Sequence, residues 1–121
     1  MTSQPIDIRV TLTLCPEGEA PETICEQGKQ LCRDGKILLQ FGERRIQMEK
    51  DRLLIRQGYT LELNKNKETD LLYPTPCGTL SMKVKTKTLT VMSDGAEAKY
   101  ALYTNGQLIH YIAMKLKTER I

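Results

Sequence analysis

Thr86, Thr88 and Thr90 recur at alternate positions of one segment, in register with Leu80, Met82 and Val84 before them. Alternate residues of a strand share a face, so three hydroxyls would continue an apolar inner face as a polar one. His110, the sole histidine, alternates with Ile112, Met114 and Leu116 near the end of the chain, and it alone carries a side chain that ordinarily titrates near neutrality. Together Thr86, Thr88, Thr90 and His110 form the candidate ligand-binding set, a polar mouth above an aliphatic interior, suited to the head group of a small-molecule or lipid-like ligand. A bulge near Lys87 would reverse this reading. It would turn Leu89 and Val91 inward and leave the threonines outside, where β-propensity alone accounts for them.

Other chemistry is thinly supported. No carboxylate or nucleophile can be set beside His110 by spacing, so a hydrogen-bonded structural histidine is the simpler reading and no catalytic residue is assigned. Cys15, Cys25, Cys32 and Cys77 contain no Cys-x-x-Cys pair, and with one histidine they make no metal set. No metal or redox cofactor is expected. Lys83, Lys85 and Lys87 form an outward row, with a second row at Lys115 and Lys117, and a basic stripe could contact RNA or an acidic partner. No aromatic residue lies between these lysines, so the stacking half of a nucleic-acid site is missing from the segment, and a solvated face is favoured over nucleic-acid binding.

These side chains need elements to hold them. The chain has 121 residues, 40% hydrophobic and 27% charged, with a net charge of +3, a globular mixture sized for one domain spanning 1–121. Ile6, Ile8, Val10, Leu12 and Leu14 alternate with polar residues, and period two recurs at Ile37–Phe41, Ile46–Met48, Leu53–Ile55, Tyr59–Leu63 and in the closing segment from Leu108 to Leu116. These are strands. Asp34-Gly35, Asp94-Gly95 and Asn105-Gly106 are tight-hairpin dipeptides, and turns are also expected at Glu17-Gly18 and Lys65-Asn66-Lys67. Gly28 and Gly58 interrupt strand patterns, and a bulge at each would keep the flanking apolar residues on one face. Short hairpins and one apolar face predict an all-β, antiparallel up-and-down barrel of eight or nine strands, with no helix of useful length.

The stretch Tyr73-Pro74-Thr75-Pro76-Cys77-Gly78-Thr79-Leu80-Ser81-Met82, followed by Lys85-Thr86-Lys87-Thr88, resembles the signature of the YwiB-like bacterial proteins, a family of unknown function with a calycin-like, lipocalin-like β-barrel. Leu53 through Tyr59 and Tyr100 through Leu108 are also similar to that family's strands. The resemblance implies the barrel and a bacterial setting, and it assigns no activity. Two functional expectations follow, both non-catalytic. One is a barrel that binds a small-molecule or lipid-like ligand at its mouth, and the other is a packed barrel acting as an interaction or assembly module, including a homo-oligomer. The first ten residues show no basic segment leading into an apolar one, so a cytoplasmic protein without membrane contact is expected.

Overall fold

The computed structural model describes residues 4–121, and all its regular elements are strands. In chain order they are β1 (Ile6–Pro16), β2 (Glu22–Arg33), β3 (Lys36–Phe41), β4 (Arg44–Glu49), β5 (Arg52–Arg56), β6 (Thr60–Asn64), β7 (Thr69–Thr75), β8 (Gly78–Met92), β9 (Gly95–Thr104) and β10 (Gln107–Arg120). Ten strands replace the expected eight or nine. The strand without a pattern of its own in the sequence is β7, which holds Pro74 within only seven residues, whereas β9 lies between two of the expected hairpin turns.

All ten strands form a single antiparallel sheet in the order β6-β5-β4-β3-β2-β1-β10-β9-β8-β7. Consecutive strands other than β6 and β7 are joined by hairpins, and the two ends of the chain meet in a ladder between β1 and β10 that runs from Ile8↔Arg120 to Pro16↔Ile112. The sheet therefore ends at β6 and β7, which adjoin in sequence. These edges touch without a backbone ladder, and the result is a nearly closed up-and-down barrel.

Two of the expected turns have the positive φ that their dipeptides allow: Asp34 at 51° before Gly35, and Asn105 at 50° before Gly106. The third hairpin is shifted by one residue. Met92 pairs with Gly95, so its two-residue loop is Ser93-Asp94, and a side chain at Gly95 would collide with the Leu116 carbonyl.

The interior is one cluster of side chains drawn from every strand except β2. Ile8, Val10 and Leu12 meet Phe41, Ile46, Met48, Leu53 and Leu63 from one side, and Val84, Leu89 and Leu116 from the other. The inward positions of β2 are Ile24, Glu26, Gly28 and Gln30, opposite Leu12, Val10, Ile8 and Ile6. Gly28 sits in an unbroken ladder between Ile8 and Phe41, not in the expected bulge. A Cβ there would lie 2.2 Å from the Gln40 carbonyl oxygen and 2.8 Å from Phe41 Cβ, so glycine permits β2 and β3 to approach. Gly58 likewise lies in the turn between β5 and β6, at φ 82°.

Register does shift at two other places: in β8 between Thr86 and Thr88, and in β10 between Leu108 and His110. Gly28→Ala should cost about 3 kcal/mol through forced separation of β2 and β3. Gly18→Ala, in open space at φ 79°, should cost about 1 kcal/mol. Urea unfolding of both variants measures the difference.

Candidate functional site

The shift at Lys87 divides the threonines. Thr86 keeps the inward parity of Met82 and Val84, whereas Thr88 and Thr90 face solvent and Leu89 becomes buried at 1% exposure. This corrects the reading of three hydroxyls on one inner face and bears out the alternative, a bulge near Lys87 that turns Leu89 and Val91 inward. Thr86 has a structural partner, since its Oγ1 accepts a hydrogen bond at 3.1 Å from the backbone N–H of Asn64. His110 is inward and half-buried opposite Leu102. The extra residue Ile109 turns Leu108 out beside Tyr103, so Leu108 leaves the face it was expected to share with His110. The four residues thus do not line one mouth.

Thr86 belongs instead to the seam between the sheet's edges. There Thr69, 9% exposed, donates from Oγ1 to the Glu62 carbonyl oxygen at 2.5 Å, which satisfies a buried hydroxyl that would otherwise be costly. Leu61, Leu63 and Leu71 pack beneath. Burial pushes the Glu62 carboxyl upward, but hydrogen bonds from Asn64 and Arg52, with the Arg52 charge, prevail and hold it below the usual range.

The end of the barrel nearest the β3–β4 and β5–β6 turns carries a polar chain that the sequence reading missed. Arg44 Nη1 lies 3.8 Å from Glu26 Oε1, Arg44 Nε donates to Gln57 Oε1 at 2.8 Å, and Gln57 Nε2 donates to the Tyr59 hydroxyl at 2.8 Å. The Tyr59 and Tyr73 rings pack 4.9 Å apart. Burial raises the Tyr59 pKa above the ordinary phenol value, against the opposing hydrogen bond from Gln57. Each polar group here is answered by a neighbour. The signal available in sequence was the inward parity of Glu26, Arg44 and Tyr59, obscured by the apolar residues around them.

A larger recess lies on the outer face of β2–β5, with a volume of about 680 Å³. Leu31, Leu38 and Leu54 form its floor, in a row in which Leu31 pairs with Leu38, Leu38 with Gln47, and Gln47 with Leu54. Leu54 points outward yet is only 4% exposed. The conflict in parity around Gly28 therefore needs no bulge, because Leu31 faces this recess. Along one side runs a second row, Lys29, Gln40, Arg45 and Arg56, paired in that order across β2–β5.

Charges in this row are unevenly answered. Lys29 is paired with Asp7, whereas Arg45 and Arg56 stand directly opposite each other with no acidic partner among the described residues. Like charges facing across a ladder repel. An apolar floor beside two unneutralised guanidinium groups can seat an amphipathic anion, with the planar forks holding a carboxylate or phosphate.

This architecture is that of an antiparallel, nearly closed up-and-down β-barrel. Residues 22–116 match the family described as a domain of unknown function (DUF1934), and the chain belongs to that family. Its fold is similar to the crystal structure of the ywiB protein from Bacillus subtilis, with a TM-score of 0.64 at 14% identity over 95% of this chain and 92% of that one. Comparison with curated proteins finds no match. Among the described residues no helix is long and apolar enough to cross a membrane, and no cluster of three metal-ligating side chains occurs.

Thr86→Val should cost about 1 kcal/mol by leaving the Asn64 N–H without its acceptor. Thr88→Val with Thr90→Val should stay within about 0.5 kcal/mol, as expected of exposed strand positions; chemical denaturation separates the two. Because Glu62 titrates lower folded than unfolded, its stabilisation is complete above the unfolded carboxylate pKa and is lost as pH falls through the folded one. Glu62→Gln should therefore flatten the acid limb of stability against pH, which thermal melts between pH 6 and 2.5 would record.

Proposed function

We propose that this protein is a non-catalytic barrel that binds a small amphipathic anion, an apolar chain with a carboxylate or phosphate head, in the outer recess of β2–β5. The observation that carries the reading is the Arg45–Arg56 pair, unneutralised beside a floor of Leu31, Leu38 and Leu54. The ligand's head group would relieve the repulsion between the arginines, and its chain would cover the part-exposed Leu31 and Leu38 beside buried Leu54. The recess volume falls within the range of small-molecule sites, roughly 300–1,000 Å³. On this reading a lipid-like ligand would lie on the barrel's outer wall, away from the mouth suggested by Thr86, Thr88, Thr90 and His110.

Dodecanoate is a suitable probe, with dodecanol as its uncharged counterpart. Submillimolar dodecanoate should raise Tm, and isothermal titration should find dodecanol at least tenfold weaker. Arg45→Gln with Arg56→Gln should fold with equal or slightly greater stability, about 0.2–1 kcal/mol, because a repulsive pair is removed. The same double variant should lose the preference for dodecanoate. No Tm shift with dodecanoate, or an undiminished shift in the double variant, overturns the reading.

A further inference from the structure

The lysine row of β8 has no aromatic residue between its members, yet the sheet supplies them from the adjacent strands. On the outer face Lys83 stands opposite Tyr103 of β9, and Lys85 stands opposite Ala101, which in turn faces Tyr111 of β10. Lys85 Nζ lies 5.2 Å from the centre of the Tyr103 ring. Ala101 is fully buried between these side chains, so a small residue separates two tyrosines set diagonally on neighbouring strands. Tyr111 is 39% exposed.

Charge surrounds this pair of rings. Lys83 and Lys85 make exposed ion pairs with Asp70 and Glu68, contacts weak enough for a phosphate to replace. Lys87, the unpaired residue of the bulge, and Lys99, opposite Thr88, have no acidic partner among the described residues. A groove of about 260 Å³ runs from Lys87 and Lys99 past Tyr111 and Ala113 to Cys15 and Glu17. Of these, only Glu17 is acidic.

We propose that the outer face of β8–β10 binds single-stranded nucleic acid, with bases stacking on Tyr103 and Tyr111 and phosphates held by Lys83, Lys85, Lys87 and Lys99. Stacking platforms flanked by basic side chains take single strands without strict sequence preference, because every base presents a ring face. A duplex hides those faces, and an acidic peptide offers charge without rings. The inference is independent of the arginine-lined recess, which lies on β2–β5.

The test is fluorescence anisotropy of the whole protein with a labelled ten-nucleotide oligo(U), its DNA duplex counterpart and a poly-glutamate competitor. Oligo(U) should bind, and log affinity should fall with log salt at a slope of about −2.8 for four phosphate contacts. Tyr103→Leu with Tyr111→Leu should weaken binding about thirtyfold or more at unchanged slope. Lys87→Gln with Lys99→Gln should bring the slope to about −1.4. Unfolding midpoints confirm that both variants fold, and Arg45→Gln with Arg56→Gln should bind oligo(U) as the parent does. Absence of binding, equal affinity for the duplex, equally effective competition by poly-glutamate, or indifference to loss of both tyrosines would each overturn the proposal. Equal competition would indicate an acidic protein partner instead.

Discussion

Pairing of β1 with β10 is the constraint on which the rest of the barrel depends. Once the two ends of the chain form a continuous ladder, the sheet's free edges must fall inside the sequence, and they fall at β6 and β7. Strands joined by a short turn would ordinarily form a hairpin. Here they face each other across a seam held by side chains, with Thr69 bonding the Glu62 carbonyl, Thr86 accepting from Asn64, and leucines packed below. The seam gives closure without a tenth backbone ladder, and it engages the one threonine of the β8 series that faces inward.

The interior is filled, so the features that distinguish one part of the barrel from another lie on its wall. A single cluster of aliphatic side chains with Phe41 and Tyr100 occupies the inside, and the polar chain from Glu26 to Tyr59 lies at one end. The outer surface is differentiated by strand. β2–β5 combine outward leucines with opposed arginines, while β8–β10 combine lysines with tyrosines. Both arrangements arise across strands, from residues far apart in sequence that share a register.

Several features were legible beforehand for local reasons. Alternation at Ile6–Leu14 and Ile37–Phe41 identifies strands because successive side chains point to opposite faces, and Asp34-Gly35 and Asn105-Gly106 identify hairpins because their φ values are positive. The family resemblance centred on Tyr73–Met82 holds, since the chain matches DUF1934 over residues 22–116. The candidate site was less legible. A single extra residue at Lys87 moved Thr88 and Thr90 to solvent, and the glycine expected to mark a bulge at position 28 instead allows two strands to approach.

By itself, then, the sequence determined the all-β class, the antiparallel hairpins and most inward-facing residues, because period and turn chemistry act over a few neighbouring positions. Tertiary structure decided between the two registers that the sequence allowed at Lys87, and it alone set the shift before His110 and the place where the sheet ends. It also set Arg45 against Arg56, and Tyr103 and Tyr111 beside the β8 lysines. Those outcomes depend on strand-to-strand register, which is set by packing of the whole interior and is invisible along any one strand.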